Sequence, residues 1–111
     1  VPASFDVVVV PYPFPDRATT RRRPALVLSR ARALGEKPGR AVLAMITSAD
    51  NQSWPLDIPV KGLAAAGLPS PSVIRMKLFT LDHGLILRKA GKLGPGDQRQ
   101  VRKSLRALLP L

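Results

Sequence analysis

Twelve prolines and eight glycines are spread along the whole of this 111-residue sequence. Punctuation of that density argues for many short segments joined by short loops. Between the breaks lie apolar, often β-branched runs. Residues 6–12, Asp-Val-Val-Val-Val-Pro-Tyr, read as a buried strand, which Pro11 and Pro13 stop because proline cannot donate to a ladder. Residues 13–23 read as a loop carrying four arginines, and loops this long are more often functional than connective. Further strands are predicted over 25–29, 40–47 and 72–80, with a polar connection over 30–39. Residues 54–60 place Leu56, Ile58 and Val60 on one face, which predicts a half-buried strand; Pro55 and Pro59 put it at an edge. Residues 61–71 read as loop, and a short strand is expected over 84–88 after a turn at Asp82-His83. The C-terminal pattern is different. Gly94-Pro95-Gly96-Asp97 opens a helix, with proline suited to the first helical position and Asp97 to the positive first turn. Val101, Leu105 and Leu108 then form one apolar stripe, and Arg99, Arg102, Lys103 and Arg106 occupy the remaining surface. The expected architecture is mostly β with a C-terminal helix, a small and strongly bent β-barrel in a single domain over 1–111.

Charge narrows the partner. Eighteen Lys and Arg against seven Asp and Glu give +11, a field that attracts polyanions, and nucleic acid is the commonest of these for a basic domain. The absence of cysteine excludes disulfides and thiolate metal sites, and one histidine, His83, excludes a His-rich zinc site. No metal or cofactor is therefore expected. The composition fits a cytoplasmic protein, the N-terminal residues do not read as a secretory leader, and the apolar run 7–11 is far too short to span a bilayer. No membrane partner is expected. A core of this size is modest, so a second subunit is.

The order of these segments is similar to a known family. Asp6-Val7-Val8-Val9-Val10-Pro11, a loop, and Arg23-Pro24-Ala25-Leu26-Val27-Leu28-Ser29 resemble the opening of the MazF/PemK toxins. The likeness continues through Ile46-Thr47-Ser48, Ser72-Val73-Ile74-Arg75, Thr80-Leu81-Asp82 and the terminal helix, and so covers nearly the whole chain. The resemblance implies an SH3-like barrel, a homodimer, metal-independent cleavage of single-stranded RNA at short sequences, and a cognate protein antitoxin. It also implies that Arg23 and Thr47 match the family's catalytic arginine and threonine, and that Arg75 matches an arginine some members use at the site. Those members carry an aspartate two residues later, where this chain has Lys77.

The chemistry is consistent with those residue types. RNA brings its own nucleophile, the 2′-hydroxyl, so a protein must position it, stabilise a pentacovalent oxyanion and manage two protons. Arginine offers a planar fork of donors to phosphate oxygens and stays charged. Arg17, Arg21 and Arg22 in the predicted loop, with Lys77, are candidate RNA-binding cations; the bland reading is a solvated basic loop. Trp54 reads either as a stacking platform for a base or as a core or dimer contact. The general base is open between Lys77, Asp16 and His83, or none of them. Two rival readings stand beside the nuclease: a barrel toxin that inhibits a protein such as DNA gyrase through the apolar end Leu108-Leu109-Pro110-Leu111, and an RNA-binding barrel without catalysis.

Overall fold

A computed structural model of the protein describes residues 1–12 and 21–111. Its strands are β1 (Asp6–Tyr12), β2 (Arg21–Val27), β3 (Arg40–Ser48), β4 (Ile58–Pro59), β5 (Ser72–Asp82) and β6 (Arg88–Lys92). Two helices, α1 (Leu63–Ala66) and α2 (Pro95–Leu108), complete the described elements, with a single 3-10 turn at His83–Leu85. The strands form one antiparallel sheet in the order β4-β5-β3-β2-β1-β6, curled into a half-barrel.

The uninterrupted valines of β1 have a physical reason, because the sheet is buried on both faces. Val7 joins Leu26, Ala44, Ile46, Ile74 and Val101 on the inner face. Val8 and Val10 join Ala25, Val27, Leu43 and Leu81 on the other. Two irregularities bend the sheet. Against β1, the register of β6 slips at Ala90; against β3, that of β5 slips at Met76 and Lys77.

The open side of the half-barrel, between β4 and β6, is bridged by α1 packing on β6. That seam depends on two glycines. Gly67 caps α1 at φ 70°, and a Cβ there would lie 2.1 Å from the Ala90 carbonyl oxygen. A Cβ on Gly91 would lie 2.4 Å from the Ala65 carbonyl oxygen. The N-terminus is fastened by Asp6, whose buried carboxylate accepts from the Ala3 amide and pairs with Lys89 and Lys92 of β6.

Several expected boundaries shift. Arg21 to Arg23 belong to β2, paired with Tyr12 to Val10, because the partner strand supplies the order that an arginine run cannot. The edge strand shrinks to Ile58–Pro59, since the Asp57 carboxylate accepts from the Trp54 amide at 2.9 Å and turns the chain. The 61–71 loop contains α1, the 72–80 strand continues to Asp82, and the strand expected over 84–88 begins at Arg88. The helix starts as expected with Pro95 in its first turn. Its Asp97, however, is aimed at the Lys61 and Gly62 amides, tying α2 to the start of α1. Val101 and Leu105 pack inward, whereas Leu108 leaves the core.

Candidate active site

The site forms where two neighbouring strands part. β2 and β3 pair only from Ala25↔Met45 to Val27↔Leu43. Continued by two residues, that register would set Pro24 against Ile46 and Arg23 against Thr47. Pro24 has no N–H to offer, and the pairing stops there. Arg23 and Thr47 therefore face one another across a gap instead of across a ladder. Both line a cleft of 150 Å³, together with Tyr12, Asn51, Arg75 and Lys77.

Each side chain is placed by an identifiable element. Arg23 is half-buried on β2 opposite Val10, and it borders two further depressions running toward Leu68 and Pro69. Thr47 lies near the end of β3, where its Oγ1 accepts a 2.6 Å hydrogen bond from Asn51 Nδ2. Arg75 stands opposite Met45 on β5 and is the most constrained cation of the group. Its Nε and Nη2 donate to both oxygens of Asp57, at 3.2 and 3.0 Å, and Nη2 also donates to the Gln52 carbonyl at 2.7 Å. Its guanidinium lies 4.8 Å from the centre of the Trp54 ring, and only 11% of the side chain is exposed. Lys77 sits in the β5 irregularity, solvent-exposed, with Nζ 5.2 Å from the centre of the Tyr12 ring.

The other sequence candidates divide. Arg21 and Arg23 share one face of β2 and Arg22 the other, so strand alternation splits the triple arginine. Arg22 instead lines a depression with Arg23 and Arg88. Trp54 stays 45% exposed beside Arg75. His83 sits at the opposite end of β5 against Gly39, roughly 26 Å along β3 from Thr47 at the rise of an extended strand. It is not gathered into the cleft. Arg17 and Asp16 lie outside the described residues. Two contributors, Asn51 and Asp57, escape a reading of the sequence: each is an ordinary loop polar residue until the register sets it beside Thr47 or Arg75.

Size does not identify the site. A hollow of 360 Å³ beside Gly62 and Asp97 is larger, but Asp97 there is already committed to backbone amides. Another of 450 Å³ lies beside His83, where Asp6 is tied to lysines. The 150 Å³ cleft alone among these three brings together Arg23, Thr47, Arg75 and Lys77.

Asp57 records how firmly Arg75 is held. Burial acts to raise its pKa, but the Arg75 hydrogen bonds, the Trp54 amide and the Arg75 charge outweigh that and hold the carboxyl below its usual range. In Asp6, burial is likewise outweighed by the Ala3 amide and the two lysines. A carboxylate whose pKa is depressed by folding contributes stability above its unfolded value and loses it as pH falls through the folded one. Urea midpoints are therefore expected to fall off below about pH 4, where carboxylates protonate. Asp57→Asn should flatten part of that acid limb; an unchanged limb would show that the pair does not stabilise the fold.

Comparison with known proteins identifies the family and the fold. The sequence matches the model of the PemK-like, MazF-like toxins of type II toxin–antitoxin systems over residues 3–109. The protein belongs to that family. Among solved structures, the MazE–MazF structure (Form-III) from Deinococcus radiodurans is similar at 25% identity and a TM-score of 0.77, covering 100% of this chain and 98% of that one. Toxin MazF-mt6 of Mycobacterium tuberculosis aligns at 20% identity and a TM-score of 0.74, covering 96% and 97%. A mycobacterial endoribonuclease in complex with its cognate antitoxin aligns at 15% identity and a TM-score of 0.71, covering 99% and 94%. No curated protein matches the sequence at a significant level. Among the described residues, no helix of this MazF-like toxin is long and apolar enough to cross a membrane.

Proposed function

We propose that this MazF-like toxin is a sequence-selective endoribonuclease that cleaves single-stranded RNA without a metal ion, by attack of a 2′-hydroxyl on the adjacent phosphate. The observation that carries this reading is the convergence of Arg23, Thr47, Arg75 and Lys77 on one cleft. A phosphate bound there meets a guanidinium on one wall and a hydroxyl on the other. Arg23 is the group suited to the charge that builds on the phosphoryl oxygens. Thr47, oriented by Asn51, is suited to position the phosphate. Arg75, partly neutralised by Asp57, adds less charge than a free arginine and instead fixes the Trp54 ring, a platform on which a base can stack. The acid two residues beyond Arg75 is absent, and proton transfer from the nucleophile is left to Lys77, Asp16 or water. In the cell we infer a cytoplasmic homodimer restrained by a cognate antitoxin, as the mycobacterial endoribonuclease above is found in complex with its own.

The test is digestion of a long RNA in EDTA with both new ends mapped. Cleavage at one short sequence, leaving 2′,3′-cyclic phosphate and 5′-hydroxyl ends, is the expected result. Intact RNA across a broad sequence pool would overturn the reading. A second reading, inhibition of a protein such as DNA gyrase, has the exposed end Leu108, Leu109 and Leu111 in its favour. Capture of a topoisomerase without RNA cleavage would decide for it.

A further inference from the structure

The cleft leaves much of the charge unexplained. Arg99, Arg102, Lys103 and Arg106 are all exposed on α2. At about 100° per residue they fall within a single arc of roughly 100°, and they span about 10 Å of helix. Val101 lies on the opposite, buried side.

Among the described residues, no acid forms an ion pair with this stripe. Asp97, the one acid of α2, is buried and accepts from the Lys61 and Gly62 amides. Asp6, Glu36, Asp57 and Asp82 are paired with Lys89 and Lys92, Arg32, Arg75 and Arg40 respectively. None of the ion pairs among the described residues involves a cation of α2. Arg102 is fixed in place, its guanidinium 4.8 Å from the centre of the Phe5 ring. A solvated helix face ordinarily intersperses charges of both signs; this one carries a single sign.

The helix that carries the stripe is also connected to the cleft, through Ser104 on the side turned away from the stripe. α2 packs on the inner face of the sheet, whereas Thr47 and Arg75 project from the other. Residues 54–57 run between the two. Trp54 and Asp57 hold Arg75 on one side, and the Leu56 carbonyl accepts from Ser104 Oγ of α2 at 3.1 Å on the other.

We propose that the basic face of α2 is a second RNA-binding surface, which grips the phosphates of a long RNA outside the cleaved segment. It rests on the ribonuclease reading and adds to it a preference for long over short substrates. Such contacts carry no sequence information and act through counterion release.

The test uses the full chain and a triple variant, Arg99→Gln, Lys103→Gln and Arg106→Gln. Glutamine keeps helix propensity, and Arg102 is left on Phe5. A second variant, Arg99→Lys with Arg106→Lys, keeps the charge. The probes are two RNAs bearing the mapped cleavage sequence, one barely filling the cleft and one of about 40 nucleotides, each with a 2′-deoxynucleotide at the scissile position. Binding is measured against salt concentration. For the triple variant, the slope of log K against log salt on the long RNA should fall by roughly 1.4 or more, equivalent to two lost contacts on a single strand. On the short RNA the slope should change far less, and the lysine variant should behave as wild type on both.

Equal slopes for wild type and triple variant on the long RNA would overturn the proposal while leaving the ribonuclease reading intact. An equal loss on both RNAs would also overturn it, since the residues would then act only through the field at the cleft. Loss of binding to phosphatidylserine vesicles with unchanged RNA binding would assign the stripe to membrane instead. If wild type binds neither RNA, the ribonuclease reading itself fails, and the wild-type protein alone reports that.

Discussion

Arg23→Ala is expected to lower the cleavage rate by roughly 10²–10³-fold, with the fold intact. The magnitude is that of removing one preorganised donor from a developing oxyanion, about 2.7–4 kcal/mol of barrier. Arg23 merits that value because its backbone is fixed in β2 opposite Val10, so the guanidinium reaches the cleft from a rigid element. It also borders the cleft and two adjoining depressions, and among the described residues no other lines all three. Arg23→Lys should recover only part of the loss, since an ammonium keeps the charge but not the planar fork. Single-turnover cleavage of a mapped RNA measures this, with circular dichroism as the check on folding. A rate within a few-fold of wild type for Arg23→Ala would remove Arg23 from the chemistry.

The second large effect concerns stability. Gly67→Ala should lower Tm by roughly 10 °C or more, while Gly84→Ala should leave it nearly unchanged. At Gly67 two costs combine. A side chain at φ 70° is strained, and its Cβ would overlap the Ala90 carbonyl oxygen at 2.1 Å. Left-handed strain and overpacking together are worth roughly 2–4 kcal/mol, and each kcal/mol moves Tm by about 4 °C or more in a domain of this size. A methyl group on Gly84 would meet nothing within 4 Å, which makes that position the matched control. Thermal unfolding of the two variants side by side decides it, and equal shifts would mean that the α1–β6 seam is loosely packed.

Much of the fold is legible in the sequence, and for physical reasons. The runs over 6–12, 40–48 and 72–82 are buried on one or both faces, so their β-branched and apolar composition speaks for itself. The C-terminal helix announces itself through Pro95 and the spacing of Val101 and Leu105. The elements that escape a reading of the sequence owe their existence to tertiary contacts. Leu63–Ala66 is four residues of α1 held by the glycine seam, too short for helix propensity to signal. Arg21–Arg23 is a strand because β1 lies beside it. The site divides in the same way. Arg23 and Thr47 stand at strand positions in a recognisable order. Asn51 and Asp57 acquire meaning only through a register that brings residue 57 beside residue 75.

The pairing of β1 with β6 bears on how the chain reaches this state. It joins Asp6 to Lys92 across 86 positions, and closing a loop of that length costs about 4 kcal/mol in chain entropy. The hairpin-range contacts among β1, β2 and β3 are cheaper to form and should precede it. Arg23 and Thr47 can thus meet early, while the outer edge of β1 stays open. Until β6 arrives, that edge is a row of unsatisfied peptide groups, ready to pair with any passing strand. A partly synthesised chain would carry the juxtaposed Arg23 and Thr47 and the tendency to aggregate together.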